Sequence, residues 1–378
     1  MVKSTSLSSF RNKYKDAQRD RTLIHPRIPH HPQQNNSEKY VSQDVPEQVG
    51  GTGSTVNATS QIPAAAHAPL SHSFVVCADT QFGMTSDNKE WETEIEYSRS
   101  AVEYINNLSP RPLFCCVCGD LVEMMPFGED EKVSELTEQQ VSDIQDHQRV
   151  DFQDVWSYLH PDIALVCVCG NHDVGNRPTK SSIESFKQKF GDDYFSFWAT
   201  PSSYNIVLNS ALFSNQTGDG AQELYDKQFQ WLQDQLEHAR ESSSAECNTI
   251  FVFGHHPWFL YDEDEESVTM TGASPYKSAM IPDSYFHIPR QSRRKVLELF
   301  KKYDVTASFA GHFHQNLISK TSFGMDMIIT SSLSEVFQST ANRNPPSTEP
   351  STRGIRLVEV DNTKKGTFQH RFISLPKK

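Results

Sequence analysis

The chain has 378 residues, of which 36% are hydrophobic, and it carries a formal net charge of −13. That length fits one large domain or two small ones. The acidic balance argues against a nucleic-acid partner. No apolar run reaches the roughly 18 residues that a membrane-spanning helix requires, which argues against a membrane partner. The first residues lack the apolar stretch of a secretory signal, so we expect a cytoplasmic protein.

Residues 1–72 form a segment in which no helical or strand period persists. The segment contains proline–histidine pairs, a Gln-Asn run and a Gly-Gly-Thr-Gly-Ser stretch. A chain of this composition cannot bury enough apolar surface to compensate for the entropy lost on folding. We therefore predict a disordered tail over residues 1–72 and one folded domain over residues 73–378.

The folded domain begins with alternating strands and helices. Apolar runs at 74–78, 113–118 and 163–169 carry no charge and include β-branched or large apolar residues, so they predict buried strands. Between them, apolar residues at helical spacing predict helices near 91–108 and 141–159. This order of elements, with these loop lengths, predicts an α/β layer architecture.

The second half of the domain continues the alternation. Predicted helices lie near 183–190, 224–236 and 293–303, and predicted strands lie at 206–208, 249–253 and 305–310. Three later apolar runs predict strands that close a second sheet: 327–329, 355–360 and 368–375. The acidic connection over 262–287 is long enough to overhang a site, and residues 338–353 are expected to form an exposed loop. The aromatic run 194–198 is interpreted as core packing first and as a pocket wall second.

Five predicted strands end in polar turns: Asp79-Thr80-Gln81, Gly119-Asp120, Gly170-Asn171-His172-Asp173, Gly254-His255-His256 and Gly311-His312-Phe313-His314. Ligands bind at the carboxyl ends of strands in open α/β sheets, so we expect the turns to converge on one edge of a sheet. The glycines let the backbone turn tightly. Aspartate, asparagine and histidine are the ligand types of two divalent metals that share a carboxylate. The pattern therefore predicts a two-metal site.

This order of motifs resembles that of the calcineurin-like metallophosphoesterases, whose pattern is D-x-H, G-D-x-x, G-N-H-[DE], G-H-H and G-H-x-H. The resemblance runs from about residue 74 to residue 375 and departs from the pattern only at the first motif. It implies an α/β fold, namely a two-sheet α-β-β-α sandwich. It also implies a metal-dependent phosphoesterase. Stretches such as 191–198 are similar to a serine/threonine protein phosphatase branch, whose partner would be a phosphoprotein substrate.

The resemblance also implies a role for each residue of the turns. The ligands of a first metal would be Asp79, Gln81, Asp120 and His314. Asp120 would bridge to a second metal, whose other ligands would be Asn171, His255 and His312. A hydroxide that the two metals activate would attack phosphorus in line. His172 corresponds to the general acid that protonates the leaving alkoxide, a step worth about 10²–10⁴-fold in rate, with Asp173 as the partner that orients it.

Three differences from members of the family refine this expectation, and one of them lies in the motif pattern itself. Gln81 stands where the family usually has a histidine ligand, so we expect a weaker first site that favours Mn²⁺ or Mg²⁺, with Fe or Zn also possible. The alternative is that Gln81 only hydrogen-bonds a metal-bound water. Glu123 stands where purple acid phosphatases carry a tyrosine ligand, which argues against that branch. The Arg-Gly pair of calcineurin-type protein phosphatases is missing, and the chain reads Glu123-Met124-Met125-Pro126.

Several interpretations stay open on the residues alone. Candidates for shaping the pocket, with packing or exposure as the competing interpretation for each, are Tyr194, Trp198, His256, Tyr285 and His287. A phosphodiesterase that acts on nucleotides or other small phosphoesters would use the same metal core. A catalytically weakened scaffold that binds partners is the other alternative, and Gln81 is its support.

Overall fold

The computed structural model describes residues 69–130, 134–241, 247–266, 270–273, 280–337 and 349–376. Residues 1–68, which are nearly all of the predicted tail, lie outside the described residues, as do residues 338–348 of the predicted exposed loop. The first strand begins at Ser71, two residues before the predicted domain boundary. The disorder of the tail stays a prediction.

The strands, in chain order, are β1 (Ser71–Cys77), β2 (Phe114–Cys118), β3 (Ala164–Val168), β4 (Phe195–Thr200), β5 (Ser203–Val207), β6 (Thr249–Phe253), β7 (Met270–Ala273), β8 (Met280–Pro282), β9 (Ala307–Ala310), β10 (Leu317–Lys320), β11 (Asp326–Ile329), β12 (Gly354–Asp361) and β13 (Phe368–Ser374). The first sheet has the order β13-β12-β1-β2-β3, and the second has the order β10-β11-β9-β6-β5-β4. Strands β7 and β8 pair with each other.

The helices are α1 (Glu92–Asn106), α2 (Glu138–Ser157), α3 (Asn171–Val174), α4 (Lys180–Phe190), α5 (Ser210–Ser214), α6 (Ala221–Glu241) and α7 (Arg290–Lys302). Local sequence sets where two of them begin. The Thr137 side chain accepts from the backbone N–H of Gln140 ahead of α2, and Thr179 does the same with Ser182 ahead of α4. Across the described ranges, no helix combines the length and the apolar character that a membrane crossing demands.

Alternation along the strands builds the layers of the molecule. Phe74 and Val76 of β1 pack in the aromatic-rich layer between the two sheets, where the Phe74 ring lies 5.7 Å from that of Phe253. Val75 and Cys77 face the other way and belong to the core that α1 and α2 cover. Sheets packed face to face and flanked by helices confirm the predicted two-sheet α-β-β-α sandwich.

The positions of β12 and β13 correct one prediction. Both strands were expected to close the second sheet, but β12 runs antiparallel to β1, and β13 runs antiparallel to β12. Of the three late apolar runs, only β11 joins the second sheet, where it is parallel to β9. An apolar pattern decides which face of a strand is buried, but it does not specify the neighbouring strand.

The aromatic run at 194–198 forms most of strand β4. Phe195 and Phe197 are buried between the sheets, which confirms the interpretation as core packing. The intervening Ser196 hydroxyl lies on the other face and donates to Gln235 Oε1 at 2.8 Å. The run therefore has the period of two that a strand requires.

The carboxyl ends of β1, β2, β3, β6 and β9 lie at one edge of the sandwich. Two backbone hydrogen bonds join the sheets there, between the segment that follows β11 and the one that follows β1. Leu333 donates to the carbonyl of Ala78 at 2.9 Å, and Ser334 donates to that of Asp79 at 3.1 Å. The polar turns therefore meet where two sheets share an edge, whereas the sequence suggested the edge of a single sheet.

Candidate two-metal site

The polar turns hold five side chains on backbone with positive φ. These residues are Asp79, Gln81, Asp120, His312 and His314, with φ between 29° and 66°. A non-glycine residue in this region costs on the order of 1–3 kcal/mol and persists only where the surroundings enforce it, and such residues cluster at functional sites. The strain marks this edge of the sandwich as the functional one.

Two of the turn glycines allow side chains of other turns to approach. A Cβ added to Gly119, whose φ is 82°, would lie 2.5 Å from the Nδ1 atom of His255. A Cβ added to Gly170 would collide with the carboxylate of Asp120. Any larger residue at these positions would push the neighbouring turns apart.

The turns bring together two groups of potential metal ligands that share Asp120. One ligand atom each from Asp120, His255 and His312 lie within 4.8 Å of one another, and the same holds for Asp79, Asp120 and His314. All five side chains are buried. The carbonyl oxygen of Asn171 extends the group of Asp120, His255 and His312, since it lies 3.0 Å from His255 Nε2. The arrangement is that of two cation sites bridged by one carboxylate.

Each imidazole of the two groups is oriented by a backbone carbonyl. Nδ1 of His255 lies 2.9 Å from the carbonyl of Cys118, Nε2 of His312 lies 3.0 Å from that of Tyr285, and Nδ1 of His314 lies 2.7 Å from that of Glu335. A ring nitrogen that donates to a carbonyl leaves the other nitrogen unprotonated in the neutral ring. Nε2 of His255, Nδ1 of His312 and Nε2 of His314 are therefore the atoms that could bind a cation.

The pKa values of the buried aspartate and histidine side chains favour the binding of cations at the site. Burial raises the pKa of Asp79 to about 8, and the nearby Asp120 adds to the shift. Burial lowers the pKa of His314 to about 3 and that of His312 well below its ordinary value, so both rings are neutral ligands at pH 7. Burial opposes the charge of His255, but the Asp120 carboxylate outweighs it and raises the pKa to about 9. Divalent cations would replace these protons.

The donor set fits two divalent cations. Carboxylate and amide oxygens combined with imidazole nitrogens suit Mn²⁺, Fe and Zn²⁺, and Mg²⁺ where oxygen ligands dominate. The first group offers Asp79, Asp120 and His314, and the second offers Asp120, Asn171, His255 and His312. The buried aspartates, together with the carbonyl-held rings, are what a site built for two cations requires.

His172 lies beside the shared aspartate. Its backbone N–H donates to Asp120 Oδ1 at 2.9 Å, and its Nε2 atom lies 4.0 Å from Asp120 Oδ2. The other ring nitrogen, Nδ1, lies 2.6 Å from the carbonyl of Glu123 and 3.2 Å from the Glu123 carboxylate. Nδ1 is therefore the protonated atom of the neutral ring, and Nε2 faces the cation sites.

The contacts of Asp173 differ from the predicted ones. Its carboxylate accepts from the backbone N–H of Gly170 at 2.7 Å and from that of Leu121 at 3.1 Å. Asp173 thus fixes the backbone of the turn that presents His172, while Glu123 makes the described carboxylate contact with Nδ1 of that ring. An aspartate at the first turn of α3 satisfies exposed N–H groups, which explains why it faces the backbone.

The amide of Gln81 lies in the site with its nitrogen towards the carboxylates. Nε2 donates to Glu123 Oε2 at 3.1 Å and to Asp120 Oδ2 at 3.4 Å, while Oε1 faces the Ser334 hydroxyl at 3.5 Å. A ligating role for the Gln81 oxygen would require a half-turn of this amide. The orientation favours the alternative in which Gln81 acts as a hydrogen-bond donor.

Of the five side chains proposed to shape the pocket, two lie beside the candidate metal ligands and three have their contacts elsewhere. The Tyr285 hydroxyl accepts from Asn171 Nδ2 at 3.4 Å, and the ring of His256 lies 4.5 Å from that of His312. The contacts of the other three lie elsewhere: Tyr194 packs on Trp231, Trp198 packs on Tyr204, and His287 lies 3.6 Å from Glu265. Only the first two are brought to the metal ligands by the described contacts.

Glu123 is the functional residue that sequence reasoning missed. From the sequence it served only to separate subfamilies. The available signal was its position three residues after Asp120, on the same turn that leaves β2. The parallel Phe82–Val122 bridge keeps the segments that leave β1 and β2 side by side, which brings Glu123 next to Gln81.

Two groups of potential cation ligands that share an aspartate, beside a histidine at the strand ends of such a sandwich, place the chain in the class of metal-dependent phosphoesterases. Its sequence matches the calcineurin-like phosphoesterase family over residues 72–316. The chain belongs to that family, as the motif order predicted. Among the curated relatives are proteins named "Serine/threonine-protein phosphatase CPPED1". The one from Danio rerio is 33% identical over 311 residues, which are 80% of this chain and 84% of the relative. The one from Homo sapiens is 34% identical over 80% of this chain and 83% of the relative.

Solved structures support the fold. GAP50, described as the anchor in the inner membrane complex of Plasmodium, has a TM-score of 0.52 at 16% identity over 82% of this chain and 86% of its own. The purple acid phosphatase PPD1 from yellow lupin has a TM-score of 0.52 at 10% identity over 80% of this chain and 51% of its own. At these identities the likeness concerns the fold alone.

Proposed function

We propose that this protein is a metal-dependent phosphoric monoester hydrolase that removes phosphate from phosphoserine or phosphothreonine in proteins. The observation that carries the proposal is the pair of ligand groups sharing Asp120, with Nε2 of His172 directed at that shared carboxylate. The name of the curated relatives supports the protein substrate. The phosphodiesterase and scaffold alternatives have no observation in their favour beyond the common metal core and Gln81.

The two ligand groups divide the work of holding cations. Asp79, Asp120 and His314 would hold the first, and Asp120, Asn171, His255 and His312 would hold the second. When bound, a pair of divalent cations supplies a nucleophile at neutral pH and neutralises charge on the phosphoryl oxygens. Because the amide nitrogen of Gln81 faces the carboxylates, we assign Gln81 to hydrogen bonding at the first cation. Mn²⁺ or Mg²⁺ is the favoured metal, with Fe or Zn possible.

His172 would deliver the proton that the leaving serine or threonine oxygen needs. A positioned general acid contributes about 10²–10⁴-fold in rate. Glu123 contacts Nδ1 of the ring through both its carbonyl and its carboxylate, which keeps Nε2 towards the reacting centre and stabilises the protonated ring. Asp173 would act indirectly, because its carboxylate fixes the backbone of the turn that carries His172.

We also propose a cytoplasmic location. All seven cysteines are free and buried, with Cys77 and Cys115 in contact at 3.8 Å and not joined. Unpaired, close cysteines are typical of proteins in a reducing compartment. Fractionation of cells that express the tagged full chain checks this, and a membrane-enclosed, oxidising location would contradict it.

The activity test uses the metal-reconstituted full chain with p-nitrophenyl phosphate, bis-p-nitrophenyl phosphate and a set of phosphoserine and phosphothreonine peptides. We expect hydrolysis of the monoester and the peptides that depends on added Mn²⁺ or Mg²⁺, and an Asp120→Asn control without activity. Preference for the diester would favour the phosphodiesterase. Activity on none of the substrates at saturating metal would favour the scaffold.

A further inference from the structure

Tyr285 reaches the metal ligands from outside the five turns. It lies between β8 and α7, in the connection that follows the Gly254-His255-His256 turn, and it is the last residue of a short 3-10 turn. Its carbonyl lies 3.0 Å from Nε2 of His312, and its ring centroid lies 5.0 Å from that of His312. One residue therefore contacts two predicted ligands of the second cation, His312 through its carbonyl and Asn171 through its hydroxyl.

The segment around Tyr285 is firmly held. Phe286 is buried, and its ring lies 5.3 Å from that of Phe313. The backbone N–H of Ile288 donates to the carbonyl of Pro257, and the buried Arg293 donates to the carbonyl of Ile288 at 3.0 Å. These contacts fix the position of the Tyr285 hydroxyl relative to the histidine turns without any substrate present.

The hydroxyl determines which way the Asn171 amide faces. The amide nitrogen donates to the Tyr285 hydroxyl, so the amide oxygen points at Nε2 of His255, where the second cation would lie. Without the hydroxyl, nothing in the described contacts of the amide nitrogen would distinguish this orientation from its half-turn. An amide held in its ligating orientation binds a cation more tightly than one that must first reorient.

The same hydroxyl has a proton to offer. Among the described residues its one hydrogen bond is the one that it accepts from Asn171, which leaves the O–H free to donate. The residue as a whole is 38% exposed while its ring lies 5.0 Å from that of His312, so it reaches from the metal ligands to the surface. The chain has no Arg-Gly pair after its second motif, so the donors for the phosphoryl oxygens must come from other groups.

We propose that Tyr285 is a substrate-positioning residue, whose hydroxyl holds the Asn171 amide in its ligating orientation and donates a hydrogen bond to a phosphoryl oxygen of the substrate. The proposal deepens the proposed function and rests on it for the nature of the substrate. A neutral phenol in this role contacts the phosphoryl group alone and leaves the rest of the phosphoprotein unconstrained. The hydrogen bond to an anionic oxygen is worth a factor of about 10–100 in binding.

The test compares Tyr285→Phe with wild type and with Tyr158→Phe, a matched variant of an exposed tyrosine at the end of α2, away from the five turns. Phenylalanine keeps the ring and the carbonyl contact with His312 and removes only the hydroxyl. Calorimetry with Mn²⁺ on the metal-free proteins measures cation binding, and competition by inorganic phosphate at saturating Mn²⁺ measures phosphoryl binding. Thermal unfolding of all three proteins checks that they fold.

For Tyr285→Phe we expect inorganic phosphate to bind about 10–100-fold more weakly and Mn²⁺ to bind the second site about threefold more weakly, with Tyr158→Phe unchanged. Phosphate affinity within twofold of wild type at saturating Mn²⁺ would overturn the proposal. Failure of the proposed function gives a different result, because the wild-type protein would then not hydrolyse phosphomonoesters. The binding of phosphate and Mn²⁺ would still test the role of Tyr285 in that case.

Discussion

The two halves of the metal centre share Asp120 but are not built alike. In the second half, the rings of His255 and His312 are held by backbone carbonyls, and the Asn171 amide presents its oxygen. In the first half, His314 is held in the same way, but the amide of Gln81 presents its nitrogen to the carboxylates. A half-site whose ligands already point inwards binds a cation with less reorganisation. The difference predicts a tight second site and a weak first site.

The largest expected effects separate catalysis from metal binding at the second half. His172→Ala removes the proposed acid but no ligand, so turnover should fall about 10²–10⁴-fold while both cations are retained. Asn171→Ala removes a ligand of the second cation only, so that site should weaken. Metal analysis of the two variants beside steady-state kinetics makes the comparison. Identical behaviour of the two variants would contradict the division of roles.

Glu123→Gln tests the contact between the first half and the acid. The variant keeps a group that can accept from Gln81, but it loses the charge that stabilises protonated His172. We expect kcat to fall about 10–100-fold with unchanged metal content. The loss should be larger for an alkyl phosphate than for p-nitrophenyl phosphate, whose leaving group needs little protonation. An equal loss for both substrates would argue against Glu123 as the positioning residue of the acid.

The metal-free protein should lose stability as the pH rises. Asp79, with a pKa raised to about 8, and His255, with a pKa raised to about 9, hold protons more tightly when folded than when unfolded. Between pH 6.5 and pH 9 the folded state therefore binds more protons, and its free energy of unfolding should decrease. Denaturant unfolding with and without Mn²⁺ measures the slope. A slope that metal does not reduce would show that cations do not replace these protons.

The smallest effect sharpens the contrast between the halves. Gln81→His restores an imidazole at the first half, so we expect metal retention at that site to tighten by roughly tenfold, in the range typical of a single ligand contact. Dialysis against limiting Mn²⁺ followed by metal analysis measures it, with Gln139→His, at an exposed position of α2, as the control for an added surface histidine. Unchanged metal content would contradict a first site limited by Gln81.

Much of the fold and of the ligand set could be predicted from the sequence, because strand ends that carry ligand-type residues are local features. His312 and His314 follow an apolar run, and glycine precedes the motif, whatever the rest of the chain does. The pairing of β12 with β1 could not be predicted in this way, since a largely buried apolar strand can pair with a strand of either sheet.

Contacts between distant turns are also invisible to motif reasoning. Glu123 and His172 lie 49 positions apart, and Asn171 and Tyr285 lie 114 positions apart, so only the folded chain brings them together. Asp173 shows that residues adjacent in the sequence need not make the side-chain contact that their order suggests. Its closeness to His172 in the sequence suggested a contact with the ring, but its carboxylate satisfies the backbone N–H groups of Gly170 and Leu121.

The most direct test of the central claim is a calorimetric titration of the metal-free wild-type chain with Mn²⁺, with p-nitrophenyl phosphate activity followed at each step. Two unequal halves that share Asp120 predict two bound ions per chain. One ion should bind tightly, at the second site, and the other weakly, at the first site. Activity should rise as the weakly bound ion is added. A single bound ion with full activity, or two ions that bind with equal affinity, would contradict a preformed second half beside a weaker first one.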